Sequence, residues 1–221
     1  MRPPWPEAAR GGGNRGCGKE PPGREAGAHG RALATPVDIY LARHGETEWS
    51  LSGRHTSRTD LALTAEGERE AEALRVRLSS LKFAAVYSSP RQRAVRTAEL
   101  AGFVAPIVTP LLEEFDYGDY EGLTSRQVHE DRPDWELFRD GCPNGESPEQ
   151  VYRRALTFIQ EALGHEGLVL AFAHGHVLRM VAVAFLALPA VTGALLSLDV
   201  ATISILRNGE RGHLLQRWNS V

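Results

Sequence analysis

Arg43-His44-Gly45 is the first stretch of this chain whose residue types can do chemistry. A guanidinium is a permanently charged planar fork that matches the oxygens of a phosphoryl group, and a neutral imidazole nitrogen beside it is a competent nucleophile. Gly45 is expected to let the backbone turn sharply and leave the imidazole at the mouth of a loop. Two further stretches carry similar residues, Ser88-Ser89-Pro90-Arg91-Gln92-Arg93 and His174-Gly175-His176. Taken singly, Arg93 reads as a cap or ion-pair partner and His174 as a satisfied core histidine. Taken together, two histidines and two arginines delivered from three places about 50 to 80 residues apart suit convergence on a dianion. His174-Gly175-His176 also admits a zinc reading, but spacing places no third ligand, and a Gly-rich phosphate loop is absent.

The elements that must position these residues follow from the hydrophobic pattern. Val37-Asp38-Ile39-Tyr40 alternates as a strand, Phe83 to Tyr87 is a short apolar run, and Leu168 to Ala173 is continuously apolar, as a central parallel strand should be. Each of the three runs out into one of the chemical stretches, and in open α/β sheets ligands bind at that edge. Between them, Thr64 reads as the N-cap of a helix carrying Ala71, Leu74, Leu78 and Leu81, and a second helix starts near Ala94. Ser147-Pro148-Glu149-Gln150 opens a helix from about Pro148 to Leu163, and an apolar helix runs to Leu188. Ile107-Val108 is a short strand, and Arg126 to Asp140 suggests two short helices divided by Pro133. Leu111 to Leu123 is acidic and irregular, though its interleaved aromatics imply that it packs on something. Val200 to Leu206 and Leu214 to Trp218, joined by a loop containing Asn208-Gly209, read as a closing antiparallel hairpin. The fold class is therefore α/β, a three-layer α/β/α sandwich around a mostly parallel central sheet.

Composition narrows the possibilities. At 221 residues with 42% hydrophobic content the chain can bury one sizeable core. The Gly-, Pro- and Arg-rich stretch 1–36 has no hydrophobic period and is expected to be a disordered extension, leaving 37–221 as the domain. A net charge of −3 argues against a nucleic-acid partner, and no apolar run reaches the roughly 20 residues of a membrane span. Cys17 and Cys142 lie in different zones, so a cytoplasmic setting without a disulfide framework is expected.

Arg43-His44-Gly45-Glu46-Thr47, Ser88-Ser89-Pro90 with Arg93 and Thr97-Ala98, Glu114 before Tyr117-Gly118-Asp119-Tyr120-Glu121-Gly122, and His174-Gly175 stand in one order from Val37 to Trp218. In that order they resemble the histidine phosphatase superfamily, which includes the cofactor-dependent phosphoglycerate mutases. Asp140 to Glu146 and Ala171 to His176 look most like its sedoheptulose-bisphosphatase-like and broad acid phosphatase branches. The resemblance implies a phosphoglycerate mutase-like fold and a metal-independent phosphatase of small phosphomonoesters, with sugar phosphates as the expected class, without a cofactor. It makes His44 the nucleophile, gives the phosphoryl oxygens to Arg43, Arg93 and His174, and makes Glu114 the proton donor to the leaving group. Like-charged Glu113 and Asp116 would keep Glu114 protonated, and an acidic pH optimum follows. Ser50, Arg54, Thr56 and Gly175 are expected to line the substrate pocket. Ser50 stands where mutases usually have asparagine and Ser57 where they have glycine. The arginine pair that mutases place after Gly122 is missing, so a phosphatase is favoured over the alternative, a phosphoglycerate mutase. A non-catalytic module binding a phosphorylated ligand is the other class. The expected partner is a small phosphorylated metabolite, bound by a monomer or homodimer.

Overall fold

The computed structural model describes residues 37–210 and 212–221, so the extension expected over 1–36 lies outside the described residues. Six strands form one sheet: β1 Val37–Arg43, β2 Phe83–Ser88, β3 Ile107–Val108, β4 Leu168–Ala173, β5 Ile203–Gly209 and β6 Gly212–Ser220. Their order is β3-β2-β4-β1-β5-β6, parallel from β3 to β1 and antiparallel through β5 and β6. The helices are α1 Glu48–Ser52, α2 Ala65–Leu78, α3 Gln92–Leu100, α4 Ser125–Asp131, α5 Leu137–Asp140, α6 Pro148–Leu163 and α7 Gly175–Phe185.

Strand alternation divides the core into two layers. Val37, Ile39 and Leu41 of β1 with Val169, Ala171 and Ala173 of β4 pack on Val151, Ala155 and Phe158 of α6 and on α7. Ala42, Leu170, Phe172 and Ile203 face the other way, onto Leu74 and Leu78 of α2 and Ala98 of α3. Because β4 is covered on both faces it must be apolar at every position, and its residues from Val169 to Ala173 have no solvent exposure. A register slip of one residue would exchange the two layers, so packing fixes the register that aligns the strand ends.

The helix starts follow local chemistry. Thr64 caps α2 by accepting from Gly67 N, and Ser147 with Gln150 forms a capping box at α6 with Pro148 in its first turn. Several expectations shift: α2 stops at Leu78, so Leu81 lies beyond it, and β5 starts at Ile203 and not at Val200. The hairpin strand β5 runs on through Asn208 and Gly209, which pair with His213 and Gly212 and so belong to the ladder and not to the loop. Helix α7 stops at Phe185, three residues short of Leu188, with Ala187 at a left-handed φ of 54° ahead of Pro189. Among the described residues no helix is long and apolar enough to cross a membrane.

Candidate active site

The three central strands β2, β4 and β1 end together. Arg43 lies beside Ala173, and Ser88 beside Phe172, so the residues that follow each strand emerge at one level. His44 N donates to Ala173 O at 3.0 Å and Ser89 N to Phe172 O at 2.9 Å, carrying the alignment one residue past the sheet.

His44 is buried, with Nδ1 2.7 Å from Gly45 O. A carbonyl oxygen only accepts, so Nδ1 carries the hydrogen and Nε2 the lone pair. Burial, then the charges of Arg93 and Arg43, push the imidazole well below the ordinary histidine range and hold it neutral. The Gly45 amide that follows donates to Thr97 Oγ1 at 3.1 Å, and Thr97 donates in turn to Arg93 O at 2.7 Å. Gly45 is not in the left-handed region. Its lack of a side chain serves a close approach instead of the sharp turn expected, because a Cβ there would sit 2.2 Å from Gly67 O at the start of α2.

His174 closes the other side, its ring centroid 5.1 Å from that of His44. Arg93 Nε can only donate, so at 3.1 Å it makes His174 Nδ1 an acceptor, and Nε2–H donates to Ser89 Oγ at 2.7 Å. Burial, then Arg93, keep this imidazole neutral as well. Arg93 is 1% exposed and stands behind the cavity lining. Its Nη1 and Nη2 donate to Thr59 O and Thr56 O, each at 3.1 Å. With Nε and a longer bond from Nη2 to Ser57 O at 3.5 Å, the guanidinium makes four bonds to the protein. Glu121 accepts from Ser57 N and Thr59 N and so stiffens the loop that Arg93 grips.

Glu114 is buried at the opposite wall. Its Oε1 accepts from Phe115 N and Val177 N at 2.8 Å each, and Oε2 accepts from His176 N at 2.9 Å. The carboxylate thus takes the free N–H groups of the first turn of α7, which has no side-chain cap of its own. The like-charge neighbourhood expected from the sequence is not formed, since Arg91 holds Glu113 at 2.9 Å and Arg58 pairs with Asp116. Arg154 fixes this loop from below, donating to the carbonyls of Leu111, Glu113 and Glu114 and gripping Glu146 with two nitrogens.

A cavity of about 180 Å³ opens between these groups. Arg43, His44 and Glu114 line it, joined by the expected Ser50, Arg54, Thr56 and Gly175. Arg43 donates from Nη1 to Leu198 O, while its buried Nε has no partner among the described residues. Burial lowers the Arg43 guanidinium and the charge of Glu114 raises it. The absence of a side chain at Gly175 leaves that guanidinium room, since a Cβ there would lie 3.4 Å from its carbon. Ser50 lines the cavity, but its hydroxyl is engaged in the capping box of α1 with Thr47. Arg54 reaches Gly122 O at 3.4 Å from an exposed position, and Thr56 Oγ1 donates to Arg54 O.

Other residues line the cavity that spacing along the chain did not place there, among them His55, Tyr117, Ser125, Arg179 and His176 as an uncoordinated ring. Arg179 donates from Nε to Gly193 O at 2.9 Å and lies 4.6 Å over the Phe138 ring. The apolar spacing of α7 hid Arg179, whereas the aromatics of the 111–123 loop were a usable signal, because Tyr117 is 2% exposed. His174 and His176 do not converge, each ring being tied to a different protein partner. Among the described residues no group of three or more His, Cys, Asp or Glu is arranged to hold a metal ion.

What the arrangement offers is a neutral imidazole with a free Nε2, buried guanidiniums on one side and a carboxyl group across the cavity. Around the cavity Arg43, Arg93 and Arg179 outnumber the buried carboxyl group of Glu114, so the site carries positive charge that an anion would neutralise.

Comparison with known proteins agrees with this geometry. The family model of the histidine phosphatase superfamily (branch 1) matches residues 39–221. An acid phosphatase of Mycobacterium tuberculosis is 43% identical over 171 residues, covering 76% of this chain and 84% of that protein. The sedoheptulose 1,7-bisphosphatase of Saccharomyces cerevisiae is 35% identical over 173 residues, 63% of this chain and 64% of that protein. A solved structure of an open reading frame product from Mycobacterium tuberculosis superposes with a TM-score of 0.81 at 40% identity, covering 84% of this chain and 98% of that one.

Proposed function

The chain belongs to the histidine phosphatase superfamily, branch 1, and on that premise we propose that it hydrolyses small phosphomonoesters through a phosphohistidine at His44. Its relatives support action on phosphate esters. The observation that carries the finer reading is the tautomer of His44, whose Nδ1–H is tied to Gly45 O so that a neutral Nε2 faces the cavity.

In the proposed first step, Nε2 of His44 attacks phosphorus, the N–P bond forms and the ester P–O bond breaks. Glu114 gives its proton to the departing alkoxide, which leaves as the alcohol. In the second step water attacks the phosphohistidine, Glu114 takes the water proton, and inorganic phosphate and free His44 are regenerated. Arg43, whose Nε has no partner among the described residues, and the charge of Arg93 just behind the lining stabilise the phosphoryl oxygens. His174, held neutral, accepts from Arg93 Nε and donates from Nε2–H to Ser89 Oγ, so it braces the guanidinium from behind the cavity lining.

A hydrophilic leaving group fits the rest of the cavity, where Arg54, Ser125, His55, His176 and Arg179 present polar atoms. A sugar phosphate is the substrate class proposed on that ground, in keeping with the sugar bisphosphate named for the yeast relative. Release of phosphate from a panel of phosphorylated sugars, measured for the pure protein and for His44→Ala, tests the proposal; turnover retained by the variant would defeat it.

A further inference from the structure

His176 brings a basic nitrogen close to the group that must donate a proton. Its Nδ1 is 3.8 Å from Glu114 Oε2, the oxygen that its own backbone amide holds at 2.9 Å. A small ring rotation would bring the two into hydrogen-bond contact. A free lone pair there would draw the proton of Glu114 away from the leaving group and leave a carboxylate–imidazolium pair. Tyr117 occupies that lone pair: its hydroxyl lies 2.6 Å from His176 Nδ1. The direction of the bond follows from satisfaction. Tyr117 is 2% exposed and its hydroxyl has no other partner among the described residues, so it must donate to Nδ1, leaving the ring hydrogen on Nε2. The phenol ring is itself held by stacking on His55, with centroids 4.7 Å apart and planes at 19°.

We propose that Tyr117 is a positioning residue: by donating to Nδ1 it fixes His176 as the Nε2–H tautomer and keeps that imidazole from taking the proton that Glu114 delivers to the leaving alkoxide. The inference rests on the general-acid role given to Glu114 above. The surrounding charges work the same way. The groups facing His176 are Arg43 at the end of β1, His55 in the loop after α1, Glu114 and Tyr117 in the acid loop, and Arg179 on its own helix. Burial first, then Arg179, His55 and Arg43, press its imidazole toward the neutral form. Burial, then Glu114, hold the Tyr117 hydroxyl protonated. His176 Nε2–H is in consequence a donor in the wall that separates the catalytic cavity from a neighbouring one of about 200 Å³, because the ring lines both.

The test is Tyr117→Phe, which removes one hydroxyl and keeps the ring that stacks on His55. Nitrogen NMR of the wild-type histidines should find His176 Nδ1 unprotonated and Nε2 protonated; the reverse assignment overturns the proposal without any variant. In Tyr117→Phe the His176 ring should gain a proton at higher pH than in the wild type. The alkaline limb of kcat/KM for glycerol 3-phosphate should move to lower pH. Relative to p-nitrophenyl phosphate, whose leaving group needs little protonation, glycerol 3-phosphate should lose roughly tenfold in rate, the scale of one hydrogen bond of about 1.4 kcal/mol. Equal losses on both esters with an unmoved alkaline limb overturn the proposal. If the wild type hydrolyses neither ester, the phosphatase reading fails, whereas the tautomer is still decided by the NMR spectrum.

Discussion

Replacing Glu114 by glutamine separates the chemistry of the carboxyl group from its place in the fold. Gln has nearly the same shape, and one amide oxygen can go on accepting from Phe115 N and Val177 N, both 2.8 Å from Oε1. The NH₂ group then faces the His176 amide, now 2.9 Å from Oε2, and donor meets donor. One hydrogen bond is lost and one buried donor is left unsatisfied, which costs about 1–3 kcal/mol of stability. A domain of this size carries on the order of 5–15 kcal/mol, so the variant remains folded. Activity should fall much further on an alkyl ester, by roughly 10²–10⁴-fold, because an alkoxide leaves badly without a proton. On p-nitrophenyl phosphate the loss should be far smaller. Steady-state rates on glycerol 3-phosphate and p-nitrophenyl phosphate between pH 4 and 8, beside urea unfolding curves, measure both parts. Equal losses on the two esters at every pH would refute the general-acid reasoning, leaving Glu114 as only the cap of α7.

Three further outcomes are expected. Gly45→Ala places a Cβ 2.2 Å from a backbone oxygen, so it should destabilise by at least the ~1–3 kcal/mol typical of overpacking and lower turnover; an unchanged urea midpoint contradicts the close approach. His44, His174 and His176 are all held well below the ordinary histidine range when folded. The unfolded chain binds protons near pH 6.5 that the folded chain refuses. Their contribution is therefore full above that pH and is lost as pH falls below it, by up to about 1.4 kcal/mol per pH unit for each histidine; urea midpoints that stay level from pH 7 to 5 contradict this. Given 3-phosphoglycerate with a trace of 2,3-bisphosphoglycerate, the protein should release phosphate faster than it forms 2-phosphoglycerate, and the opposite ratio selects the mutase alternative.

The strand ends were legible because each lies within a local signal. Val37 to Arg43, Phe83 to Ser88 and Leu168 to Ala173 are apolar or alternating runs that stop at a charged or hydroxyl residue, and all three ends occupy one edge of the sheet. Helix α6 was legible to the residue, since Ser147, Pro148 and Gln150 are a complete start signal. Other features depend on partners distant in sequence. Gly45 needs to be glycine because of Gly67, a packing contact that its own neighbours in sequence do not encode. Glu114 is surrounded by acidic residues in the chain but by backbone amides of α7 in space, and arginines draw Glu113 and Asp116 away. Thr97 was visible as part of a family pattern, though its bond to Gly45 was not. Arg154 and Arg179 sit on helices whose apolar spacing is the stronger signal, so their inward polar contacts emerge only when the helices are packed.

The central claim is that the phosphoryl group passes through His44. Mixing the enzyme with a radiolabelled phosphomonoester and quenching within one turnover measures it directly. Label should remain on the denatured protein in a bond stable to alkali and labile to acid, as a phosphoramidate is, and mass spectrometry should place it at His44. His44→Ala should carry none. Full turnover with no labelled protein at any quench time, or label on a residue other than His44, would contradict the account.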